Sequence, residues 1–123
     1  MFEIAVEETF SAGHSLRNYH GKCEKVHGHN YKIQVVLEGD TLNEAGLLMD
    51  FSDLRGRLRA LIERLDHQFL NDLPPFDAIN PSAENMAKYF FDELNAALPL
   101  ERGVRLCYVR IWETETSSAT YRP

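Results

Sequence analysis

Two stretches of this 123-residue chain alternate apolar and polar residues with a period of two, and that pattern constrains the fold most. From Phe2 to Ser11, the side chains of Phe2, Ile4, Val6 and Phe10 fall on one side, and Glu3, Glu7, Thr9 and Ser11 on the other. Asn30 to Glu38 repeats the pattern, with Tyr31, Ile33, Val35 and Leu37 set against Lys32, Gln34 and Glu38, before Gly39-Asp40 ends it. Successive side chains of a strand point to opposite faces, so each stretch reads as a half-buried strand. The polar segment from Gly13 to Glu24 reads as a loop, and the two strands as a long antiparallel hairpin. The period then changes. Leu54, Leu58, Leu61 and Leu65 recur at helical spacing, with Asp50 or Ser52 as N-cap and arginines on the opposite face. A loop from Asp66 to Ile79 carries Pro74-Pro75. A second helix starts near Pro81-Ser82, carries Met86, Phe90, Leu94 and Ala97 as its stripe, and stops at Pro99. After Gly103, Leu106, Tyr108, Arg110 and Trp112 alternate with Cys107, Val109, Ile111 and Glu113, and Ser118–Tyr121 reads as a short fourth strand. The order is ββααββ, an α+β arrangement with two helices on one face of a four-stranded antiparallel sheet. With no repeat or linker, it makes one domain over residues 1–123.

Composition removes several function classes. Hydrophobic residues at 44% and charged residues at 26% describe a globular chain rather than a disordered one. No apolar run approaches the roughly 20 residues a membrane span needs. The N-terminus has neither a basic region nor a cleavage site of a signal peptide. Two cysteines, Cys23 and Cys107, form at most one bridge, so the expectation is a reduced, cytoplasmic protein. A net charge of −6 disfavours general nucleic-acid binding. The charge is uneven, however. Between His14 and Lys32, four cations (Arg17, Lys22, Lys25, Lys32) face one anion, Glu24.

Four of the five histidines, His14, His20, His27 and His29, fall in that same region. If His27-Gly28-His29 enters the second strand, both imidazoles share a face, with Cα atoms roughly 6–7 Å apart. Two rings at that spacing can converge on one ion at about 2.0–2.1 Å each. His14 ends the first strand, which the hairpin lays alongside, and can supply a third nitrogen. Three histidines leave the fourth zinc position open, as in catalytic sites. Cys23, four residues before His27, is either a fourth ligand closing a structural site or a thiolate lowered in pKa by a nearby metal. His20 reads as a surface loop residue. Asp66-His67 follows the last leucine of the first helix; it is either a helix-end pair or an imidazole whose basicity and tautomer a carboxylate sets. Glu113 is an acid at the end of the apolar row Val109–Ile111; either the strand end is exposed, or a ligand with paired N–H donors meets the carboxylate.

Phe10-Ser11-Ala12-Gly13-His14, Cys23-Glu24-Lys25-Val26-His27-Gly28-His29-Asn30-Tyr31, Leu65-Asp66-His67, Pro81-Ser82-Ala83-Glu84-Asn85 and Trp112-Glu113-Thr114 together resemble the 6-pyruvoyl-tetrahydropterin synthase family, in the right order along essentially the whole chain. The short gap between Cys23 and the histidine pair resembles the 6-carboxy-5,6,7,8-tetrahydropterin synthases of queuosine biosynthesis more than the animal pyruvoyl enzymes. The resemblance implies a T-fold whose sheet joins its neighbours' sheets in an oligomeric barrel, most simply a homohexamer of two trimeric rings. It implies Zn²⁺ on His14, His27 and His29, Cys23 as catalytic base, Asp66 and His67 as relay, and Glu113 as anchor of the pterin ring. It also implies that the cysteine and the Asp-His pair of one site come from different subunits. The implied reaction converts 7,8-dihydroneopterin triphosphate to 6-carboxytetrahydropterin with release of acetaldehyde and triphosphate, and the cationic stretch before Lys32 would suit the triphosphate. The alternatives are the pyruvoyl-type synthase, which stops before carbon–carbon cleavage, a pterin aldolase acting on dephosphorylated dihydroneopterin, and a non-enzymatic, zinc-stabilised oligomeric binding module.

Overall fold

A computed structural model describes residues 1–18 and 24–123. Cys23 and His20 lie outside the described residues. The first two strands are longer than the alternation alone marked. Strand β1 runs Phe2–His14 and β2 runs His27–Gly39, antiparallel throughout, with Ala12 opposite His29 and His14 opposite His27. Gly13 and His14, read as loop from their polarity, therefore belong to the strand. Helix α1 spans Phe51–Leu65, and the Asp50 carboxylate caps it by accepting from the Ser52 N–H. Helix α2 spans Ala83–Ala97, with Ser82 accepting from the Asn85 N–H. Pro81 thus lies just ahead of the cap rather than in the first turn. Strand β3 covers Arg105–Thr114 and β4 covers Ser117–Tyr121, and the sheet order is β1-β2-β3-β4.

Both helices cover one sheet face. Val6, Phe10, Tyr31, Ile33, Val35, Val109 and Ile111 meet Leu54, Leu58, Leu65, Met86, Phe90 and Leu94 in one buried cluster. One alternation breaks. Leu106 was expected on the face opposite Val109 and Ile111, yet all three are buried in the same core. The cause is a register shift: Val36 opposes Tyr108 but Leu37 opposes Leu106, leaving Cys107 as an extra residue in the strand. A bulge of this kind moves every residue before it to the other face. A second shift separates Trp112, opposite Ser118, from Thr114, opposite Ser117. Glu113 is the residue that falls between.

The outer edge of β1 meets Arg55 of α1, which donates to Glu7 O at 2.9 Å, and a second backbone segment at its far end. The His67 N–H donates to Ser11 O at 2.6 Å, and the Gly13 N–H to Gln68 O at 3.0 Å, so the segment leaving α1 lies along the last residues of β1.

Candidate functional site

The parity that buries the core also gathers the polar groups. Phe10, Ala12 and His14 follow one another on the helix-covered face of β1, as Tyr31, His29 and His27 do on β2. Past Ala12 on β1 and past Tyr31 on β2, each row changes to imidazole. Glu113 joins them from β3, one step beyond Ile111. The result is four ligand atoms within 4.8 Å of one another, from His14, His27, His29 and Glu113. His14 Nε2 lies 2.8 Å from His27 Nε2, and Glu113 Oε1 lies 3.1 Å from both His14 Nε2 and His29 Nε2.

The other ring nitrogens decide what these atoms can do. His14 Nδ1 is 2.8 Å from Pro81 O, and His27 Nδ1 is 2.7 Å from Lys25 O. A carbonyl only accepts, so both Nδ1 atoms carry the proton, and both Nε2 atoms are bare lone pairs. Two lone pairs facing at hydrogen-bond distance need a positive charge between them. Protonating His14 would supply one, but His14 is fully buried, and burial pushes its pKa down, outweighing the Pro81 and Glu113 contributions. Burial likewise lowers His29, with the Glu113 carboxylate opposing. His29 Nε2 is buried without a hydrogen bond among the described residues, though Glu113 Oε1 lies 3.1 Å away. Three imidazole nitrogens, two of them bared by a carbonyl on the other side of the ring, and a carboxylate oxygen fit a metal cation. Tyr31 closes the floor. Its hydroxyl lies 3.2 Å from His14 Nδ1, and burial together with Glu113 raises its pKa, so it stays protonated.

Glu113 borders a cleft of about 400 Å³ that Glu84, Ser117, Ser118 and Thr120 also line. Sequence reasoning passed over Glu84, because an acid in the first turn of a helix is already accounted for by the helix dipole. Its only distinguishing signal was its place in the Pro81–Asn85 motif.

Asp66 and His67 lie elsewhere. Asp66 ends α1, its Oδ1 accepting from the Ser11 N–H at 2.9 Å and standing 3.0 Å from His67 Nδ1. The Ser11 N–H, then the His67 contacts, hold the Asp66 carboxyl below its ordinary range. His67 sits at φ 59°, with its ring largely exposed. It borders a cleft of about 520 Å³ with Ser11, Gly13, Gly28, His29, Asn30 and Phe69. Ser11, Gly13, Gly28 and Asn30 have the strand parity opposite to the three histidines, and His29 is the one residue that belongs to both this cleft and the cluster. The structure therefore brings His14, His27, His29 and Glu113 together, and leaves Asp66 and His67 outside that set of ligand atoms.

Residues 3–123 match the family described as 6-pyruvoyl tetrahydropterin synthase. The 6-carboxy-5,6,7,8-tetrahydropterin synthase of Synechocystis is 37% identical over 127 residues, covering 98% of this chain and 93% of that one. The Bacillus subtilis protein of the same name is 34% identical, covering 99% of this chain and 86% of its own length. The 6-pyruvoyl tetrahydrobiopterin synthase of Homo sapiens is also 34% identical, over 98% of this chain and 90% of its own. Among solved structures, the 6-pyruvoyl tetrahydropterin synthase of Caenorhabditis elegans superposes with a TM-score of 0.88 at 27% identity, covering 99% of this chain and 95% of that one.

Proposed function

The chain belongs to the 6-pyruvoyl tetrahydropterin synthase family, and from that premise we propose that it is a 6-carboxy-5,6,7,8-tetrahydropterin synthase with Zn²⁺ on His14, His27 and His29. The convergence of three imidazole nitrogens, two of them lone pairs set by a backbone carbonyl on Nδ1, carries the reading. The substrate is 7,8-dihydroneopterin triphosphate. Loss of triphosphate and proton shifts along the side chain take it to a vicinal diketone on a reduced ring. Water then cleaves the bond between the two carbonyl carbons, giving the 6-carboxylate and acetaldehyde. Zinc, when bound, supplies Lewis-acid stabilisation of the side-chain oxygens as negative charge develops on them.

The chain's own groups supply the rest. Cys23 takes a proton from a side-chain carbon, its thiolate favoured by nearby positive charge. Asp66 holds His67 by Nδ1, which leaves Nε2 to pass that proton to solvent. Glu113 carries both histidine contacts on Oε1, and Oε2 remains for the paired N–H groups of a pterin in the adjoining cleft. The site is shared between copies in a homo-oligomer, most simply a hexamer. Three observations favour this. His67 is not among the clustered ligands of its own chain. The outer edges of β1 before Ser11 and of β4 have no partner strand among the described residues. The uncovered face is acidic on β1, with Glu3 and Glu7, and basic toward β4, with Arg110 and Arg122, which suits head-to-tail pairing. The pyruvoyl-type activity is the second reading, favoured by the equal identity to the human enzyme. Incubation with 7,8-dihydroneopterin triphosphate and mass analysis of products tests both. Carboxytetrahydropterin with acetaldehyde is expected; pyruvoyl product alone moves the assignment to the second reading, and unchanged substrate overturns both.

A further inference from the structure

The nearer of the two partners of His14 Nδ1 is the Pro81 carbonyl at 2.8 Å, against 3.2 Å for the Tyr31 hydroxyl, and nothing in the strand pairing holds that carbonyl in place. A ring of side-chain amides does. Asn80, next to Pro81, grips the chain just beyond His14: its Oδ1 accepts from the Arg17 N–H at 2.8 Å, and its Nδ2 donates to Arg17 O at 2.8 Å. This two-way bond mimics a pair of strand residues where no strand exists. The Arg17 guanidinium donates to Phe76 O at 2.9 Å and to Ile79 O at 3.2 Å, fixing the loop that leads into Asn80. Asn85, in the first turn of α2, donates to Asn80 O at 2.9 Å. The path from His14 along the chain to Arg17, across to Asn80, on to Pro81 and back to His14 Nδ1 is thus closed, by hydrogen bonds at its two crossings and by the backbone between them.

We infer that Asn80, braced by Arg17 and Asn85, is a positioning residue of the metal centre: it sets the Pro81 carbonyl, and through it the His14 tautomer and ring angle. None of the three touches the cluster itself. Their effect is indirect, because a ring free to exchange tautomers presents a protonated Nε2 to the cation for part of the time. The proposal rests on the metal reading above. It goes beyond that reading by assigning residues outside the cluster.

The test compares Asn80→Ala and Asn85→Ala with Asn43→Ala. Asn43 makes a similar clasp at a separate site, its Oδ1 accepting from the Ala45 and Leu47 N–H groups. It therefore serves as a control for stability alone. Zinc affinity is measured by chelator competition, and the His14 tautomer by nitrogen NMR of the metal-free protein. Asn80→Ala is expected to lose about 10–100-fold in zinc affinity, the range for removing a partner of a ligating histidine. Its metal-free His14 should show mixed tautomers where the parent shows only Nδ1–H. Asn85→Ala, which removes one bond, should move both readouts in the same direction by less, and covers the case in which Asn80→Ala does not fold. Asn43→Ala should lower the melting temperature and leave zinc affinity and tautomer unchanged. Parent-like affinity and tautomer in Asn80→Ala or, if that variant fails to fold, in Asn85→Ala overturn the proposal, and so does an equal loss in Asn43→Ala. If the parent binds no zinc, the metal reading fails instead, and the tautomer comparison still decides the role of Asn80.

Discussion

Two of the three imidazoles at this centre are set by a backbone carbonyl on the far side of the ring. His14 and His27 spend their Nδ1 protons on Pro81 O and Lys25 O. Replacing His27 or His29 with Ala removes one of three nitrogens, so as-purified metal should fall to a small fraction of the parent's. Elemental analysis of the two purified variants reads this directly, and parent-like metal in both contradicts the ligand set. Asp66 shows a different residue-scale effect. Its carboxylate accepts from the Ser11 N–H and stands beside His67, so the folded form favours the ionised state. In carbon-detected NMR, Asp66 should titrate below the usual value of about 3.9. The sign for stability follows from linkage. The unfolded chain takes up the proton first as pH falls, so the Asp66 contribution is complete above the unfolded pKa and is lost as pH drops through the folded one. An Asp66→Asn protein should therefore show a flatter fall in melting temperature below about pH 4. An unchanged slope would mean the Ser11 contact does not survive in solution.

Elements decided which parts of this were readable in advance. The hairpin, both helices and the parity that sets His27 beside His29 follow from periodicity, and Asp50 was one of two residues able to cap α1; the Ser82 cap was hidden, because Pro81 is equally at home in a first turn. Polarity hid the end of β1, since Gly13 and His14 look like loop until a partner strand and the His67–Phe69 segment satisfy their backbone. The bulge at Cys107 was illegible for a physical reason: an extra residue has no periodic signature of its own, and it shows only when two strands are laid in register. The carboxylate of Glu113 was placed at the end of an apolar row from parity. Its approach to His14 and His29 needs the three-dimensional meeting of β3 with β1 and β2. Capping makes an element-scale prediction that separates folding from chemistry. Asp50 begins α1, and its side chain accepts from the Ser52 N–H at 2.7 Å. Asp50→Ala should cost about 1 kcal/mol, seen as a lower denaturant midpoint at unchanged slope. Metal content and product ratio should not move, because the four ligand atoms come from strands alone.

At the scale of the whole molecule, His67 supplies none of the four ligand atoms that His14, His27, His29 and Glu113 bring together, although His29 also lines its cleft. In the proposed assembly a second copy, its β4 edge against the free part of β1, supplies the His67 of each site. That arrangement predicts that turnover belongs to the oligomer, and mixed assemblies test it. Cys23→Ala and His67→Ala proteins, each alone, should retain zinc and lose about 10²–10⁴-fold in turnover, the range for removing a positioned acid–base group. Unfolded together and refolded, they assort at random. If Cys23 and His67 of one working site come from different chains, some sites in a mixed oligomer then receive an intact cysteine from one chain and an intact histidine from its neighbour. Activity should reappear in the mixture at a level well above either parent variant and follow the mixing ratio with a maximum near equal amounts. If both groups instead came from one chain, every site would lack one of them at every ratio, and the mixture would stay as slow as its components. Refolding a mixture of parent and double variant serves as the control for recovery, because it yields active sites under either arrangement.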